Sequence, residues 1–127
     1  MDAASALADL TEISSQFDIA VVLDEDGSVL ASTVADDARS ERLAKAGVGL
    51  LASGGTRTLT RVEAALRHGS VFAARDATRS VVATTAAAPT SSLVFHDLET
   101  CLRAIAQVPP KPKRKPRKPR KKTAADA

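Results

Sequence analysis

Apolar and polar positions alternate along this chain in two different periods. Over residues 3–15, Ala3, Ala6, Leu7, Leu10 and Ile13 recur at helical spacing with Asp9 and Glu12 on the other side, which predicts an amphipathic first helix with Phe17 closing its apolar end. Ile19-Ala20-Val21-Val22-Leu23 is apolar without alternation and rich in β-branched residues, the pattern of a strand covered on both faces. Asp24-Glu25-Asp26-Gly27 then makes a hairpin turn, because Gly takes the positive φ such turns need, and Val29–Thr33 is the return strand. Asp36 or Asp37 is positioned to cap a second helix, with Glu41 in its first turn. Leu43, Ala46, Gly47, Leu50 and Leu51 form one face of that helix, and Ser53-Gly54-Gly55 ends it.

The period then changes to two. Leu59–Arg67 places Thr60, Val62, Ala64 and Leu66 on one face and Arg61, Glu63, Ala65 and Arg67 on the other, a half-buried strand with a charged outer face. Those charges either guard an exposed edge or pair with a neighbouring chain. Ser70–Asp76 and Ser80–Ala87 follow after short turns, so three antiparallel strands in succession are the simplest topology. Pro89-Thr90-Ser91-Ser92 opens a last helix whose apolar stripe is Val94, Leu98, Cys101, Leu102 and Ile105. The expected fold is α/β (α+β), in the order α-β-β-α-β-β-β-α, with a five-stranded antiparallel sheet flanked by helices.

Composition adds two points. Phe17, Phe72 and Phe95 are the only aromatic residues, so Ala, Val and Leu do nearly all the packing; small side chains bury little area each, which favours further burial by oligomerisation. Charge is also split. Residues 1–110 hold nine Lys/Arg against fourteen acids, a net of −5, whereas residues 111–127 hold nine bases and one acid, a net of +8. The expected organisation is a folded domain over 1–108 and a disordered Lys/Arg/Pro-rich tail over 109–127.

Candidate chemistry is sparse. Gly47 and Gly49 inside the second helix each cost about 1 kcal/mol relative to Ala, which marks either a close backbone approach or an imperfect helix. Asp24-x-Asp26-Gly27 matches half a calcium loop but lacks the later ligands. Gly49-x4-Gly54-Gly55-Thr56 misses the lysine and the strand–loop–helix setting of a phosphate-binding loop. His68 and His96 belong to no nucleophile or metal motif, and Cys101, the single cysteine, sits where a small apolar residue would. No catalytic residue, metal or cofactor is expected, and the chain is read as non-enzymatic. A basic, apolar leader is missing and no apolar run approaches membrane-spanning length, which points to the cytoplasm, or to the nucleoid if the source is bacterial.

The element order, with FDIAVVLDEDGSVLAST, ERLAKAGVGLLASGG and GSVFAARD…RSVVATTAA ahead of a Ser-initiated helix, resembles the roadblock (dynein light chain, LAMTOR-like) domain family over residues 3–107. The resemblance implies a homodimeric, non-enzymatic platform in which second helices pack together and third strands join two sheets. It places Leu43, Gly47, Leu50, Arg61 and Glu63 at the dimer interface. It also implies, for bacterial members, partnership with a small Ras-like GTPase. The tail is not part of the family pattern.

That tail carries KPKRKPRKPRKK, in which Lys111, Lys113, Arg114, Lys115, Arg117, Lys118, Arg120, Lys121 and Lys122 are punctuated by proline. Proline favours an extended conformation with a reach of some 55 Å at about 3.1 Å per residue. Nucleic acid is the best-matched partner, bound through phosphates without stacking or base readout. Anionic membranes, nuclear import and a fold-back onto the acidic body are the competing readings of the same charge.

Overall fold

A computed structural model describes residues 1–106. Its elements are α1 (Ala3–Ile13), β1 (Phe17–Leu23), β2 (Val29–Ser32), α2 (Asp37–Ala52), β3 (Arg61–Leu66), β4 (Gly69–Arg75), β5 (Ser80–Ala86) and α3 (Ser91–Ala106), in the order expected from the sequence. The basic tail and the boundary at 108/109 lie outside the described residues.

The strands form one antiparallel sheet in the order β2-β1-β5-β4-β3. The meander β3-β4-β5 is local, whereas β5 returns to pair with β1 from Phe17↔Thr85 to Leu23↔Ser80. Two layers of helix cover the sheet. α1 and α3 bury Leu7, Leu10, Val94 and Leu98 against Val22, Phe72, Val81 and Ala83 on one face. α2 buries Leu43, Ala44 and Leu51 against Val21, Leu23, Ala73 and Val82 on the other. Ala20 through Leu23 are fully buried, as their unbroken apolar run requires of a strand covered on both sides.

Local chemistry sets the element ends. Asp2 caps α1 by accepting from the Ser5 N–H at 2.8 Å, and Asp36 caps α2 by accepting from the Ala38 and Arg39 N–H groups. Gly27 adopts φ +84 in the β1–β2 turn, where Asp24 accepts from the N–H groups of Asp26 and Ser28.

Three expectations are corrected. Asp37, not Glu41, is the acid in the first turn of α2, because the cap is Asp36 and Glu41 then falls one turn later. Ile13, expected on the buried face of α1, is 64% exposed because it ends the helix beyond the edge of the core. Leu66 is 63% exposed, since β3 is the last strand of the sheet and its end runs past the cover of α2. Among the described residues no helix is long and apolar enough to cross a membrane.

Candidate interaction surface

α2 has two sides with different occupants. Ser40, Leu43, Ala44, Gly47 and Leu51 are buried on the sheet side, and Leu50 is half-buried. A Cβ added at Gly47 would stand 2.2 Å from Cγ2 of Val82 and 2.8 Å from its Cγ1, so glycine is what lets the helix lie this close to β5. The close approach that Gly47 signalled is therefore made within the chain, and Leu43 likewise faces the chain's own sheet. The opposite side presents Ala38, Arg42, Lys45, Gly49 and Ala52, all exposed, and a Cβ added at Gly49 meets nothing within 4 Å. Val48, 45% exposed, flanks this stripe.

β3 lies beside α2 and is in contact with it. It pairs with β4 alone, so its second edge has no strand partner among the described residues. Arg61 and Glu63 are exposed, as the alternation suggested, but both have partners on α3. In the sheet they stand opposite Ala74 and Phe72, on the face covered by α3. Arg61 donates from Nη2 to Glu99 Oε1 at 2.8 Å and from Nε to Glu99 Oε2, and its guanidinium lies 5.4 Å from the centre of the Phe95 ring. Phe95 in turn meets Phe72 edge-on at 5.1 Å. Glu63 accepts from the Ser91 hydroxyl at 3.0 Å. The two charged residues thus tie the outermost strand to α3 and leave the strand edge itself open. The bond from Arg61 holds the Glu99 carboxyl below its ordinary range, against the opposing effect of burial, and Glu99 raises Arg61 in return.

Other candidates are quiet. Cys101 is 4% exposed, and burial, with the nearby Asp9 charge, pushes its thiol up to about 11, so it is protonated near neutrality. His68 and His96 are exposed, and no group of three metal-ligating side chains occurs among the described residues. The nine cationic tail residues lie outside the described residues. Sequence reasoning missed the Arg61–Phe95–Glu99 cluster: alternation placed Arg61 on a face, but only the packing of an element some thirty residues later decides what covers it. The outer stripe of α2 was legible only in part, through Gly49.

No protein-family model and no curated protein matches the chain. Solved structures do. A roadblock/LC7 domain from Streptomyces avermitilis superposes with a TM-score of 0.73 at 14% identity, over 84% of this chain and 96% of that one. A second roadblock/LC7 domain from the same organism gives 0.64 at 24% identity, over 80% and 95%. MglB in a tetrameric arrangement gives 0.63 at 14% identity, over 83% and 85%. At these identities the likeness is one of fold.

Proposed function

We propose, from the premise that this chain has the roadblock fold, that it works as a homodimeric, non-catalytic platform whose basic arms attach it to nucleic acid. The observation that supports the platform reading best is the exposed α2 stripe centred on Gly49, lying beside the open edge of β3. A second copy can bring its own α2 against that stripe, where small residues let two backbones approach, and can continue the sheet through β3. The interface then uses the side of α2 opposite Leu43 and Gly47, with Arg61 and Glu63 bracing the strand from behind.

The arm reading rests on charge. Nine cations on one short segment release counterions from duplex phosphates, so affinity is expected to fall with a slope approaching −8 on a log–log salt plot if all engage. Light scattering of the full chain is expected to give twice the 13.2 kDa chain mass, and Gly49→Arg is expected to give the monomer. A monomeric wild type, or a variant that stays dimeric, overturns the interface. DNA binding that is unchanged when the arm's Lys and Arg are replaced by Gln overturns the arm.

A second reading, a binding partner or regulator of a small Ras-like GTPase, draws support from the same fold, since that partnership is what the resemblance implies for bacterial members. It predicts that a chain with the neutralised arm still forms a complex with such a GTPase.

A further inference from the structure

A groove runs between α1 and α3, on the opposite face of the sheet from α2. It holds a cavity of about 210 Å³ whose walls carry Asp9, Glu12 and Asp97 and, among the described residues, no basic side chain. Its floor is apolar, from Leu10 and Ala104. Asp97 is the anomaly. It is only 8% exposed, it borders the groove, and its carboxylate accepts no hydrogen bond from a described residue. A carboxylate at the wall of a groove with no hydrogen-bond donor of its own gains a partner from an incoming cation.

The chain itself supplies such a cation. Asp9 to Ile13 of α1 lies against Asp97 to Cys101 of α3, while the start of α1 lies near Ile105, so the helices are antiparallel. Asp97 is nine residues back from Ala106, about 14 Å at 1.5 Å per residue. Lys111 follows Ala106 by five residues, and such a length spans up to about 16 Å. The first cations of the arm are therefore within reach of the groove without any distortion of α3.

We propose that Lys111–Lys122 docks on the α1–α3 groove of its own chain, with Lys or Arg stems on the apolar floor and their charged heads on Asp97, Asp9 and Glu12. Long basic side chains are suited to this, because the stem buries on apolar surface while the head stays among polar groups. Docking sets the +9 of Lys111–Lys122 against the −5 of residues 1–110, and polyanions compete with the groove for it. The α2 face remains open, so the proposal depends on neither dimerisation nor DNA binding.

Zero-length carbodiimide cross-linking of the full chain tests it, with links mapped by mass spectrometry. A mixture of isotope-labelled and unlabelled chains separates links within a chain from links between chains. Links from the arm's lysines to Asp9, Glu12 and Asp97 within one chain are expected, falling about fivefold or more when salt is raised to about 0.5 M, where screening is nearly complete. Asp97→Asn should reduce the links at Asp9 and Glu12 severalfold, and Asp9→Asn with Glu12→Gln should reduce the link at Asp97. Because the double variant changes only exposed positions, it keeps the test valid if Asp97→Asn perturbs folding. Links spread evenly to Glu25, Asp26 and Asp36, links only between chains, or links indifferent to these substitutions overturn the proposal.

Discussion

Two glycines of α2, two residues apart, face opposite ways and carry different constraints. Gly47 touches Val82, and any Cβ there overlaps the valine methyls. Gly47→Ala is therefore expected to lower stability by about 1–3 kcal/mol through overpacking, despite the better helix propensity of alanine. Gly49→Ala meets open space within the protomer and is expected to raise the stability of the isolated fold by about 1 kcal/mol. Urea unfolding of both variants in the same buffer, at concentrations where the chain is monomeric, checks the contrast; equal effects would remove the assignment of sides. Both glycines stand out in the sequence as costs to a helix, and the need for a close approach follows from that. Which neighbour does the approaching does not, because Val82 lies on β5, thirty-five residues further along the chain. Ile13 and Leu66 teach the same lesson in reverse: each fits its periodic pattern, and each falls where the covering layer has already ended.

At the scale of elements, the outermost strand is held by side chains in addition to its ladder. Arg61 and Glu63 reach across to α3, so the Glu99 carboxylate is part of what fixes β3. Glu99 has its folded pKa lowered from 4.5, first by the bond from Arg61. A lowered carboxylate pKa contributes stability that is present above the unfolded value and lost as pH falls through the folded one. Thermal unfolding followed from about pH 6 down to about pH 3 is expected to show a shallower acid decline for Glu99→Gln than for the wild type. An identical decline would mean that the pair does not couple β3 to α3. The order and type of all eight elements were legible from period, turn residues and caps, because those signals are local. The sheet order was not, since pairing β5 with β1 depends on which faces are left to bury after the meander forms.

At the scale of the molecule, one face of the sheet carries α2 and the proposed interface, and the other carries α1, α3 and the acidic groove. In the proposed dimer two arms would act together, the second contact would be intramolecular, and avidity gains of about 10²–10⁴ are typical of such linkage. Gly49→Arg is accordingly expected to weaken binding to a long DNA duplex by about a hundredfold while leaving a short duplex, which one arm fills, nearly unaffected. Fluorescence anisotropy with both duplexes measures this, and equal losses on the two would argue against paired arms. The ladder between β1 and β5 has a further consequence, in time rather than space. Val21, Val22 and Leu23 are sheltered by a strand that is made more than fifty residues later. During synthesis the most apolar stretch of the chain leaves the ribosome long before its partner exists, so the nascent N-terminal half is the stage at which this protein is most exposed to aggregation and to chaperone capture.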